Sequence, residues 1–150
     1  MTSETTSQAN LWDRWLLVVG WLVVLFGLLL AVFNRSAPME ALVHRNVDPA
    51  FWVDGPSTQA IDFRSWVYGV LGATMAGWGV LIVALAKNAF ARRERWARDA
   101  LATGAGLWFV VDTWLSLASG VVFNAAFNIL ILVALAPPLG ATWRSFRSAR

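Results

Sequence analysis

Four long apolar runs separated by polar connections make up most of this chain. The first covers residues 11–33, with no charged side chain between Trp15 and Asn34. The others lie near residues 63–86, 97–119 and 121–139, the last closed by Pro137 and Pro138. Each is close to the ~20 residues that cross ~30 Å of hydrocarbon. The apolar positions run on without alternating. They therefore predict helices, which satisfy their own backbone in lipid, rather than barrel strands. The expected fold is an all-α polytopic membrane protein, an up-down bundle of four transmembrane helices forming one domain over residues 1–150. An outer connection (34–62) carries a short helix, and an inner one (87–96) is compact. The first run is read as a retained span. Its apolar part is longer than a signal h-region, and Glu4, Asp13 and Arg14 leave the start without a basic bias. A cut after Ala37 would expose Pro38.

Charge gives these spans a direction. Lys87, Arg92, Arg93, Arg95 and Arg98 crowd the connection between the second and third runs, and Arg14, Arg144, Arg147 and Arg150 fall on the same side. Arg35, Arg45 and Arg64 fall on the other. The positive-inside rule then places both termini and the basic connection in the cytoplasm, as expected of a multi-pass protein of the bacterial inner membrane. Topology accounts for the basic connection without specific anionic-lipid binding. Trp12, Trp15, Trp96 and Trp143 fall at the predicted inner interface and Trp52 and Trp66 at the outer one, where indoles belong. Trp21, Trp78 and Trp108 are deeper and are expected between helices.

Composition narrows the chemistry. Charged residues are 14% of the chain, against about 25% in a soluble domain. The absence of cysteine removes thiolate catalysis, disulfide exchange, iron–sulfur clusters and thiolate zinc sites. The only histidine, His44, lies in a connection, and we read it as solvated; one imidazole cannot make a bis-histidine haem. No cofactor and no metal is expected. The basic residues follow the membrane sides and form no stripe with interleaved aromatics, so no nucleic-acid partner is expected.

Within the outer connection, Ser36-Ala37-Pro38 predicts a helix start, running to about Val47 and stopped at Asp48-Pro49. Ala41, Leu42 and Val43 would rest one side of it on the membrane. Asp54-Gly55-Pro56-Ser57 reads as a turn, and Phe51 and Trp52 as an interfacial anchor. A lid over an outward-facing pocket is the functional alternative.

The costliest residue is Asp112, a carboxylate inside the third run, where insertion scales charge roughly 2.5–3.5 kcal/mol. The third and fourth runs are joined by a short turn at Ser119-Gly120 and must be antiparallel neighbours. Counting from that turn at 1.5 Å per residue puts Asp112 and Asn128 ~11–13 Å deep and Ser116 and Asn124 ~5–7 Å deep. Two polar rungs are predicted, Asp112 with Asn128 and Ser116 with Asn124. Arg64 and Tyr68 enter from the same side on the second run, with Tyr68 near the Asp112 level. The candidate cluster is thus Arg64, Tyr68, Asp112, Ser116, Asn124 and Asn128, with Asp112 the candidate for acid–base chemistry. It is either a lock for helix pairing or the lining of a pocket or proton path. Small residues suggest close helix approach: Gly69, Ala73 and Gly77, a parallel row of Gly72 and Ala76, and less cleanly Ala102, Gly106 and Val110.

The second run carries Trp66-Val67-Tyr68-Gly69-Val70-Leu71-Gly72-Ala73 and Ala76-Gly77-Trp78-Gly79. The later runs carry Trp108-Phe109, Asp112-Thr113, Ser116, Gly120, Phe123-Asn124 and Asn128. Across nearly the whole chain this resembles small bacterial four-span membrane proteins of the broadly DoxX-like kind. The resemblance implies the fold and brings no catalytic residue with it. The expected role is a non-enzymatic binding or accessory component, with membrane lipids, a small lipophilic ligand, a second copy or a membrane partner protein as its company. The alternatives are a small membrane enzyme with isomerase-like chemistry at Asp112 and a proton-coupled transporter working as an oligomer. The first run holds no carboxylate, unlike that of small multidrug transporters.

Overall fold

The computed structural model describes residues 2–143 and 146. Every regular element among them is helical. Helix α1 spans Thr2–Phe33. The connection after it is a string of short turns: α2 (Ala37–Met39), a wider π turn (Glu40–His44), α3 (Arg45–Val47) and a tighter 3-10 turn (Asp48–Ala50). Helix α4 (Thr58–Leu85) continues into a π turn at Ala86–Phe90, and α5 (Arg95–Ala118) and α6 (Val122–Ala141) complete the chain. The four long helices are each long and apolar enough to cross a membrane. Their outer surfaces carry Val18, Leu22, Val32, Val80, Leu107 and Val133, all exposed, which suits contact with lipid tails. We call the end with the 34–57 connection the loop face and the opposite end the terminal face.

The helices do not pack in chain order. Helices α1 and α4 make the most extensive pairing, α5 and α6 form a second pair, and α1 touches α6. Helices α4 and α5, though consecutive, scarcely approach each other. The α1–α4 seam is made by glycine. A Cβ added at Gly27 would lie 2.5 Å from the Ala76 nitrogen, and one at Gly72 would lie 2.5 Å from the Ala31 nitrogen. Gly79 likewise meets the Val24 nitrogen at 2.6 Å. In lipid, where tails are as apolar as leucine, this close dispersion contact is a main source of helix association. The row used is thus Gly72, Ala76 and Gly79. The stronger-looking row is not used: Ala73 and Gly77 are exposed, and nothing lies within 4 Å of a Cβ at Gly77. Trp21 also faces outward rather than between helices.

Pro137 and Pro138 do not close the fourth helix, which runs through them to Ala141. Proline at 138 removes the N–H that would bond the Ala134 carbonyl. The indole N–H of Trp15 donates to that carbonyl instead, at 2.8 Å. One turn onward the Thr142 hydroxyl donates to the Pro138 carbonyl at 2.5 Å.

At the terminal face Arg92, Arg93, Arg95 and Arg98 are all engaged. Arg93 takes a left-handed conformation (φ 59°), which costs a non-glycine residue roughly 1–2 kcal/mol and turns the chain from α4 into α5. It grips Asp13 through both Nη atoms, at 2.6 and 2.9 Å, and donates to the Phe90 carbonyl at 2.9 Å. Buried Arg98 lies 3.9 Å over the Trp143 ring. Arg95 donates to the Phe146 carbonyl at 2.8 Å, and the buried Phe146 ring meets Phe90 edge-on with 4.9 Å between centroids. Arg92, at 2.6 Å, and the Trp96 indole, at 2.5 Å, both bond the Glu94 carboxylate and hold its pKa below the usual carboxylate range. Arg144, Arg147 and Arg150 lie outside the described residues.

Candidate functional site

The turn between α5 and α6 is tight. Gly120 takes φ +75°, and the Val121 N–H donates to the Ser116 carbonyl at 2.8 Å. This fixes the two helices in register, so polar residues about two turns from either side of the turn meet. Asp112 Oδ1 accepts from Asn124 Nδ2 (2.7 Å), Asn128 Nδ2 (2.9 Å) and the Ser116 hydroxyl (3.1 Å). The second N–H of Asn124 goes to Ser116 Oγ (2.8 Å), and that of Asn128 goes to Thr113 Oγ1 (3.2 Å). Each amide has two donors, and all are spent. The single Ser116 proton is shared between Oδ1 and the Asp112 carbonyl, which is closer at 2.7 Å, a back-bond within its own helix. Asn128 and Ser116 are buried.

The carboxylate is used unevenly. All three donors converge on Oδ1, and no described residue donates to Oδ2. Asp112 instead lines a groove of about 600 Å³ on the α4 side of α5, together with Trp78, Gly104, Leu107, Trp108, Val111 and Leu115. The exposure of Leu107, Val111 and Leu115 means that this groove opens sideways, toward lipid. Trp78 and Gly104 also line a smaller apolar cavity of about 130 Å³ nearer the terminal face, between α4, α5, Leu16 and Leu135. Both spaces follow from the separation of α4 from α5.

Arg64 and Tyr68 do not join this cluster. Depth counting put them at the right level, but α4 turns them toward the 34–57 connection. Arg64 pairs there with Asp48 in a short contact and lies 3.6 Å from Glu40. Tyr68 packs against His44, with 5.1 Å between ring centroids. His44 is therefore not solvated. It is 1% exposed, and its Nε2 hydrogen-bonds the Asn34 carbonyl at 2.7 Å. Asn34 is tied to Ser65, accepting its hydroxyl at 2.7 Å and donating to its carbonyl at 3.3 Å. Three buried atoms of this second cluster, His44 Nδ1, Asp48 Oδ1 and Arg64 Nε, have no hydrogen-bond partner among the described residues. The physical reason is the helix in the connection. Met39 and Val43 are four residues apart, as are His44 and Asp48, and the two pairs lie side by side, so one face is buried. Met39 and Val43 pack on Leu30 of α1, whereas Ala41 and Leu42 stay exposed. The connection thus docks on the end of α1 and α4 through this face, and Val43 is buried there rather than resting outward with Ala41 and Leu42. That spacing was readable in the sequence. The polarity of His44 and Asp48 concealed it, because a buried face is usually sought among apolar residues.

No group of three His, Asp or Glu side chains among the described residues is placed to hold a metal ion. Chemically, the Asp112 cluster offers one preorganised carboxyl group, with all its described donors on Oδ1, on a residue that lines an apolar groove. The loop-face cluster offers ionic contacts from Arg64 to Asp48 and Glu40 that tie the connection down. No family model, curated protein or solved structure matches the chain.

Proposed function

We propose that this chain is a non-enzymatic binding component of a membrane, taking a small lipophilic molecule from the bilayer into the α4–α5 groove and holding its polar end at Asp112. One observation carries the reading: Oδ1 takes every protein donor while Oδ2 takes none, on a residue that lines the groove. A carboxylate serving only to lock α5 to α6 would be expected to point both oxygens into the interface, because a polar atom left facing lipid gains nothing. The apolar lining suits a ligand body that already resides among lipid tails, and the sideways opening suits entry from the bilayer.

The orientation we propose has the terminal face in the cytoplasm of a bacterium, at its inner membrane. Arg14, Lys87, Arg92, Arg93, Arg95 and Arg98 gather at that face, which supports it. The groove then faces the bilayer leaflet nearer the loop face.

The test is the molecule that copurifies. Protein extracted in mild detergent is analysed by mass spectrometry beside Asp112→Asn prepared identically. The expected result is a small lipophilic molecule with a polar or charged end, retained by the parent protein and depleted from the variant. Equal retention by both proteins, or no retained molecule in either, overturns the reading.

A further inference from the structure

The pattern of ion pairs says what kind of polar end the groove accepts. Among the described residues Asp13 pairs with Arg93, Glu40 and Asp48 with Arg64, Asp62 with Arg35, Glu94 with Arg92 and Asp99 with Arg98. Of the carboxylates whose side chains are described, all from residue 11 onward, two have no such partner. Asp54 sits in an exposed turn, where water solvates it. The other is Asp112, which lies within a membrane-length helix, where an uncompensated charge is most costly. The chain thus supplies a cation to every described carboxylate that needs one except the residue that lines the groove.

The walls of the groove supply the rest. Trp108 is one helical turn from Asp112 on the same face of α5, and Trp78 reaches across from α4. Their ring centroids are 6.3 Å apart, with the planes inclined at 59°. Two indoles and a carboxyl group lining one apolar groove suit an organic cation, since the negative face of such a ring attracts an ammonium and does so more strongly away from water. We infer that the groove binds a lipophilic organic cation, its charge at Asp112 Oδ2 and its apolar body against Trp78 and Trp108. This rests on the binding function proposed above and names the ligand class of the same site. Entry of the cation would complete the remaining ion pair without disturbing the hydrogen bonds on Oδ1.

The experiment compares three probes of similar bulk and different charge on protein in phosphatidylcholine nanodiscs, with empty nanodiscs as the baseline. The probes are tetraphenylphosphonium, tetraphenylborate and neutral triphenylphosphine oxide, measured by equilibrium dialysis. Saturable binding of the phosphonium alone is expected, weakened at least tenfold in Asp112→Asn and severalfold in Trp78→Leu. Trp78 is partly exposed, so its variant keeps the test decisive if Asp112→Asn fails to fold. Saturable binding of the phosphine oxide that Trp78→Leu weakens, with no preference for the phosphonium, overturns the cation inference and leaves lipophilic binding standing. No saturable binding of any probe overturns both. A dimer that Trp78→Leu converts to monomer, with no phosphonium bound, overturns the inference in favour of a second copy as the occupant.

Discussion

Arg64 and Asp48 show how much one side chain can decide at a membrane-protein surface. Both are nearly buried, with side chains 10% and 11% exposed, and each is the other's main counter-charge. Removing one partner leaves a buried, uncompensated charge, which costs about 3–5 kcal/mol, whereas replacing both with apolar groups is often close to neutral. Arg64→Leu is therefore expected to lower stability by that amount in denaturant titration of the detergent-solubilised protein. Arg64→Leu with Asp48→Leu should recover most of the loss. A double variant as unstable as the single one would mean that Arg64 acts through Glu40 or packing. Asp112 differs in kind. Its carboxyl group has hydrogen bonds but no ion pair among the described residues, and this places it apart from the ionic contacts that hold the fold together.

At the scale of helices, two contacts hold α1 to its neighbours: the glycine seam on α4 and the indole bond to α6. Gly27→Ala would push a Cβ to within 2.5 Å of backbone in α4, which cannot yield as a flexible side chain would. Separation of the pair and a loss of several kcal/mol are expected. Gly77→Ala meets nothing, and relief of glycine's conformational entropy should make it neutral or stabilising by about 0.5–1 kcal/mol. Equal effects at the two positions would sink the seam. The role of Trp15 is testable through the proline that creates the need for it. Trp15→Phe leaves the Ala134 carbonyl without its donor and should cost about 1–3 kcal/mol. Adding Pro138→Ala restores a backbone N–H in α6, so the same change should then cost much less; additive losses would contradict the account. The small-residue rows were legible as rows. Which row meets a neighbour was not, because a row's direction depends on helix rotation, and four-residue spacing leaves that rotation open.

The whole molecule is shaped by the order of helices around the bundle. Since α1 takes both α4 and α6 as neighbours, α4 and α5 stand apart, and the groove exists for that reason. The orientation of the bundle in the membrane has a clean test because the chain has no cysteine. Val53→Cys, at a 92% exposed position in the connection, should react with an impermeant maleimide in intact spheroplasts. Lys87→Cys, exposed at the terminal face, should react only after permeabilisation. The opposite pattern would invert the proposed topology.

The sequence by itself determined the class of fold, the number of membrane-length helices and the two rungs that join Asp112 to Asn128 and Ser116 to Asn124, while the bonds from Asn124 and Ser116 to Asp112 Oδ1 came from the structure. Apolar length sets a span whatever surrounds it, and a tight turn fixes depth on both sides of itself. Only the tertiary structure decided that Arg64 and Tyr68 turn away to His44 and Asp48, that α6 runs through its prolines, and that Asp112 borders a groove. Each of these depends on the rotation of a helix about its axis, or on contact between segments far apart in the chain. Depth along a helix follows from counting residues, but the direction a side chain faces follows from what the helix packs against.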